Sequence, residues 1–497
     1  MSADRASADL TQLEPKSVWR FFAGLTGVPR PSKNEARIQK HVLDLAESLG
    51  FKSKRDAAGN IVITVPASPG CESAPITVLQ GHLDMVCEKN AGVEQDFDND
   101  PIRTIIAEDD EGLKIVRADG TTLGADNGIG VSLALAAATD PEVVHGPLEL
   151  LFTSDEEEGM TGAKALAPDS FEGRRLINLD SEEDDALYIG CAGGRDTNLT
   201  WRFETSAAPA GAECLRVSVS GLRGGHSGGD IHEGRASANR LIVRTLLHAA
   251  DLQVASINGG SKRNAIARES SAVVCGPAGT MKALEEAAKK VATESTAESF
   301  EKNIRIEVTK VADGECGAVV SKDDTARLLS ALMAVPHGVM GMHPKIPELV
   351  QSSNNISTIK SVVDGRAVTV DVGMLTRSSS DSRKEVALSQ IVSVGKLSGA
   401  KVSHANDYPG WEPNPDSALL RTCSRIYAEL FKEEPKVAAI HAGLECGIIG
   451  ERVGKMDTIS FGPRIEGAHS PDEQVWIESV GKIWSYLKAV LAELSKG

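Results

Sequence analysis

Between residues 35 and 50 apolar side chains recur at Ile38, Val42, Leu43, Ala46 and Leu49, then stop at Gly50. That spacing lays one stripe along a helix, and the glycine suits its left-handed cap. Short apolar runs follow at Ile61 to Val65, Ile76 to Leu79, Leu148 to Phe152 and Leu176 to Leu179. Runs of that length read as strands buried on both faces. Helical segments at Ile129 to Ala138 and Gly162 to Leu166 alternate with some of them, so this part is expected to be α/β with a central, mostly parallel sheet flanked by helices.

The pattern changes after Cys191-Ala192-Gly193-Gly194. From about Trp201 the chain carries amphipathic strands (Leu215 to Val219, Ile304 to Val311, Ala367 to Met374) and helices (Ala236 to Leu252, Met281 to Glu298), an inserted α+β domain. Tyr408-Pro409-Gly410-Trp411-Glu412-Pro413 suits a linker. Beyond it come a helix near Ser417 to Phe431, a strand near Thr458 to Phe461 and a closing helix near Val475 to Leu494. The expected plan is a catalytic domain in two parts, 1–195 and 409–497, around an insertion at 196–408.

A chain of 497 residues exceeds what one core usually serves, in keeping with that division. Its net charge of -17 argues against nucleic acid as a partner, since phosphate binding needs clustered Lys and Arg. The first residues lack a signal peptide's apolar core, and no segment approaches the roughly 20 apolar residues of a membrane span, so a soluble cytosolic protein is expected. Eight cysteines are scattered without a CxxC pair, which suggests neither a disulfide framework nor a cysteine zinc site. Any metal must then be held by His and carboxylates.

Candidate ligands recur where apolar strands end, the place where open α/β sheets carry functional loops. His82 and Asp84 follow the Ile76 run; by alternation they face one side, so the carboxylate can orient the imidazole. Asp126 precedes the Ile129 helix, where an acid is also an ordinary N-cap. Asp155-Glu156-Glu157-Glu158 follows the Leu148 strand and reads either as a solvated loop or as carboxylates gathered by cations. Asp180 follows the Leu176 strand, and His469 sits in a Gly/Pro loop that would equally suit an exposed side chain. Each is weak alone, but together they form an oxygen and imidazole set suited to zinc, manganese or cobalt.

The stretches GHLDMVCEKN, TLGADNGIG, TSDEEEGMTGA, LINLDSEE, GCAGG, GLRGGHSGGDIHEGR, MLTRSSSDS, AIHAGLECG and GPRIEGAHSPDE, taken in order, resemble the aminoacylase and carboxypeptidase superfamily of co-catalytic zinc peptidases. Within it they are similar to the aminoacyl-histidine dipeptidases, the cytosolic non-specific or peptidase D group, from about residue 15 onward. The resemblance implies two divalent cations, zinc with cobalt or manganese as alternatives. His82 and Asp180 would hold one, Glu157 and His469 the other, and Asp126 would bridge them. Two dications against three carboxylates and a hydroxide leave the site neutral.

By the same resemblance Glu156 is the general base, Asp84 the partner of His82, and the Asp126-Asn127 peptide is cis. His226, in a glycine-rich loop, would stabilise the oxyanion, with Asn264 as a further donor. Arg377 would clamp the carboxylate of a dipeptide, and Glu445 would receive its amino group or serve only at a helix start. A homodimer in which His226 enters the partner's active site is also implied. The expected activity is hydrolysis of dipeptides with a free amino group, including Xaa-His types such as carnosine. The alternatives are an N-acyl amino acid amidohydrolase of the same fold and a metal-binding homologue without catalysis.

Overall fold

A computed structural model describes residues 7–312, 316–346 and 349–497. The chain divides into two compact units. One comprises the chain up to Gly190, Pro413–Ala439 and Leu444–Gly497; the other comprises Cys191–Glu412 and Ile440–Gly443. The expected boundary at 195/196 falls inside the strand Gly193–Ala207, which already belongs to the second unit.

The first unit is built on an eight-stranded sheet. At its centre Thr77–His82 pairs in parallel with both Leu148–Thr153 and Arg175–Asn178, and Asp457–Ser460 pairs in parallel with Arg175–Asn178. Lys52–Arg55 and Ile61–Val65 extend one side with antiparallel pairing. Thr77–His82 and Leu148–Thr153 are buried at every position, their polar residues Gln80, His82 and Glu149 included, as strands covered on both faces must be. The parallel strands therefore end together, and the loops after them lie at one edge.

Helix Ala125–Thr139 is apolar nearly all round and almost wholly buried, as a helix enclosed by its neighbours must be. It begins at Gly124, which is left-handed (φ 71°), and contains the cis Asp126-Asn127 peptide that the resemblance implies. The Asn127 amide donates to the Leu179 carbonyl at 2.7 Å, tying the helix start to the end of a strand. The closing helix starts at Ile477 rather than Val475, because Gln474–Trp476 pairs as a strand with Lys114–Ala118. It packs Tyr486 against Tyr427 and Phe461 at ring separations of 5.4 and 4.8 Å. Leu49 is exposed rather than part of the buried stripe of helix Ala36–Ser48, which lies on Ile38, Val42 and Ala46.

The second unit carries an antiparallel sheet with helices Ala238–Leu246, Thr280–Ser299, Lys322–Ala334 and Asp381–Ser398. Its core joins Trp201, Phe203, Val217 and Val219 of the sheet to Leu241, Ile242 and Leu246 of the first of those helices. That helix stops earlier than the expected Leu252, because the chain turns at Asp251 (φ 58°) and continues as the strand Gln253–Gly259.

Gly130 lies where helix Ala125–Thr139 meets Leu179: a Cβ there would stand 2.3 Å from the Leu179 carbonyl oxygen. Gly130→Ala is expected to lower stability by about 1–3 kcal/mol through overpacking. An unchanged urea midpoint would show that helix and strand end can separate freely.

Candidate metal centre

The strand ends bring His82, Asp126, Glu157, Asp180 and His469 together within the first unit. His82, buried at the end of its strand, points Nε2 at Asp126 Oδ1 (3.0 Å) and Asp180 Oδ1 (3.3 Å). His469, half exposed and left-handed (φ 63°), points Nε2 at Asp126 Oδ2 (3.2 Å) and Glu157 Oε2 (2.9 Å). The two oxygens of Asp126 thus face different imidazoles. Among the described residues, ligand atoms of His82, Asp126 and Glu157 all lie within 4.8 Å of one another.

Asp84 underlies both halves. Its Oδ1 lies 3.4 Å from His82 Nδ1 and accepts the Glu156 N–H at 3.0 Å. Its Oδ2 accepts the Glu157 N–H at 3.2 Å and the Ser32 hydroxyl at 2.8 Å. One buried carboxylate therefore orients an imidazole and the backbone of two neighbouring acids. Burial would raise its pKa, but the hydrogen bond and charge of His82 and the Glu156 N–H bring it down to about 2.

The other acids respond to crowding. Burial is the largest influence on Asp180 and raises it to about 7, against the pull of His82. Glu156 is also raised, first by burial and then by Asp180, Glu445 and Glu157, with His82 opposing. Hydrogen bonds to Asp126 and Glu157 raise His469 to about 11. Glu157 Oε1 is buried and, among the described residues, has no hydrogen-bond partner. An excess of buried carboxylate oxygen, an acceptor without a donor among the described residues and two imidazoles aimed at different oxygens of one carboxylate fit divalent cation binding.

Glu445 is fully buried, its Oε2 accepting from Gln80 at 2.7 Å and from Thr153 at 2.5 Å. In the second unit, His226 Nδ1 accepts the N–H of Gly229 at 3.0 Å. A neutral ring in that arrangement carries its proton on Nε2, which lies 3.5 Å from Arg377 Nη2. Arg377 is buried and also donates to the Tyr408 hydroxyl at 3.0 Å. Asn264 is exposed, and its carbonyl accepts the Ser227 N–H at 2.8 Å.

Several residues here went unnoticed in the sequence. Glu473 and Arg30 are buried beneath the ligand loops, and His441 hydrogen-bonds Ser353 at 2.7 Å in the second unit. Glu473 lies four residues after His469, which was the available signal; Arg30 offered none.

The model of Peptidase family M20/M25/M40 matches residues 78–493. A cytosol non-specific dipeptidase of Escherichia coli (strain K12) is 41% identical over 493 residues, covering 98% of this chain and 99% of the relative. The crystal structure of an aminoacylhistidine dipeptidase from Vibrio alginolyticus matches with a TM-score of 0.87 and 39% identity, covering 98% of each chain. A tripeptidase from Staphylococcus aureus has the same fold, with a TM-score of 0.61 at 15% identity over 98% of this chain and 100% of that one.

The raised acids set a pH dependence. A carboxyl with a raised folded pKa stabilises the protein while protonated, so the metal-free chain should lose stability as pH climbs from about 4 to Asp180's value of about 7. Cation binding needs the same group ionised, so affinity should rise over that interval, and binding near pH ~6 should release protons. Calorimetry in buffers of different ionisation enthalpy counts them; proton-neutral binding would argue against Asp180 as a ligand.

Proposed function

The chain belongs to peptidase family M20/M25/M40 and is a metal-dependent dipeptidase of that family, and we propose that it works with two cations. His82 and Asp180 hold one, Glu157 and His469 the other, and Asp126 is shared. The observation that carries this reading is the division of the Asp126 carboxylate, Oδ1 at 3.0 Å from His82 Nε2 and Oδ2 at 3.2 Å from His469 Nε2. The donors, two imidazoles and three carboxylates, favour zinc, with cobalt or manganese as alternatives. Such cations, when bound, supply Lewis acidity that polarises the scissile carbonyl and acidifies water.

The chain's own groups do the rest. Glu156 takes the proton released by the attacking water on its carboxylate and passes it to the leaving amine. Its raised proton affinity, set by burial and by Asp180, Glu445 and Glu157, suits a group that must hold the proton between the two transfers. Asp84 fixes the tautomer and direction of His82 and holds the Glu156 backbone. His226 offers its Nε2–H to the oxyanion, Asn264 supplies a further donor, and Arg377 grips the substrate's carboxylate. The substrates are dipeptides with a free amino group, Xaa-His types such as carnosine included. The enzyme acts in the cytosol, as its E. coli relative's name says of that protein. Its assembly in this reading is a homodimer in which His226 serves the partner's site.

Glu156→Gln is expected to keep its cations while turnover of carnosine or Ala-His falls about a hundred- to ten-thousand-fold. Elemental analysis beside the rate assay separates the two effects. A variant with bound cations and wild-type turnover would remove Glu156 from the reaction, and preference of the wild type for N-acetyl amino acids would overturn the dipeptide class.

A further inference from the structure

The Glu473 carboxylate accepts four successive backbone N–H groups of the loop that carries Asp126. Oε2 takes Leu123 at 2.7 Å and Gly124 at 2.9 Å; Oε1 takes Ala125 at 2.7 Å and Asp126 itself at 3.2 Å. Glu473 is 2% exposed, and its own loop carries His469. A single buried side chain thereby couples the backbone of one proposed ligand to the loop of another.

Arg30 completes the frame from the opposite side. It is 2% exposed and forks across two loops, Nη1 donating to the carbonyls of Leu83 (3.0 Å) and Asp84 (2.9 Å) and Nη2 to that of Gly124. The loop after His82 is thereby joined to the start of the Asp126 loop. Glycine is required at both close approaches, since a Cβ on Gly124 or Gly128 would stand 2.4 or 2.7 Å from Nη2. Burial weakens the charge of Arg30, while Glu473, Asp84 and Asp126 uphold it.

We propose that Glu473 and Arg30 are positioning residues that hold the Asp126 loop between the His82 loop and the His469 loop, and so set the spacing of the two cation positions. The proposal rests on the two-cation reading above. Neither side chain touches the reacting atoms; each acts on the backbone that presents a ligand. Glu473 has a capacity that glutamine lacks: both of its oxygens accept, whereas an amide would turn N–H donors toward two of the four N–H groups. Lysine at position 30 would keep the charge but lose the planar fork that spans two loops.

The experiment compares the wild-type holoenzyme with Glu473→Gln and Arg30→Lys. Each apoprotein is titrated with cobalt(II) against a chelator, followed by its visible spectrum, and kcat and KM are measured for Ala-His. Circular dichroism and a melting curve report folding. Expected for the variants are two-step cobalt binding with one step weakened about 10–100-fold, an altered cobalt spectrum, a kcat reduced over a similar range, and a KM within about threefold of wild type. If Glu473→Gln does not fold, Arg30→Lys alone decides the matter. Two cations bound by a folded variant with wild-type affinity, spectrum and kcat would overturn the positioning role and leave the two-cation reading standing. Fewer than two cations in the wild type would overturn that reading, and the proposal with it.

Discussion

The carboxylates of Asp84, Asp126, Glu156, Glu157, Asp180, Glu445 and Glu473 gather around the ends of the parallel strands; burial first, and then neighbouring acids, raises Glu156, Glu157, Asp180, Glu445 and Glu473, while Asp84 and Asp126 are held low by imidazoles. The cationic groups acting on them are His82, His469 and the Arg30 guanidinium. Isolated anions in such surroundings would simply take up protons. The chain gives several of them a specific counterpart: an imidazole for Asp84, Asp126, Glu157 and Asp180, a row of backbone N–H groups for Glu473, and an amide and a hydroxyl for Glu445. Loops, helix starts and glycines in this region all serve that end.

The sheet beneath meets the same constraint with neutral groups. Gln80 donates to Glu445 at 2.7 Å and accepts from Asn178 at 2.5 Å; Asn178 in turn accepts from Ser460, which bonds Ser181 at 2.6 Å. This chain crosses the strands immediately before His82 and Asp180, so the ligands start from fixed bases. Glu445 is raised to about 8, mainly by burial and against the Thr153 hydrogen bond, which adds no permanent charge beside the site. Buried polar groups so connected favour one arrangement over many.

The strands and their order along the chain were legible because short apolar runs such as Ile76 to Leu79 and Leu148 to Phe152 mark the doubly buried strands Thr77–His82 and Leu148–Thr153. That His82, Asp126, Glu157, Asp180 and His469 were worth singling out followed from their loops, although which acid meets which imidazole did not follow from those loops alone, since pairing across 44 residues (His82 to Asp126) or 343 (Asp126 to His469) leaves no local trace. The supporting residues were illegible for a related reason. Arg30 and Glu473 act on backbone atoms, so their partners carry no distinguishing side chain. The brief return of Ile440–Gly443 to the second unit is likewise a matter of tertiary contact, not of composition.

Glu156 and Glu157 show how neighbouring identical side chains come into different surroundings. Both backbone N–H groups are anchored to the two oxygens of Asp84, which fixes the turn at the strand end and makes the side chains diverge. Glu157 reaches His469 at 2.9 Å and leaves its second oxygen buried without a donor among the described residues. Glu156 instead meets the field of His82, Asp180 and Glu445, and burial raises its proton affinity. The difference between the two neighbours therefore starts from Asp84: by holding two amides and one imidazole it sets which carboxylate turns toward His469 and which stays in the field of His82.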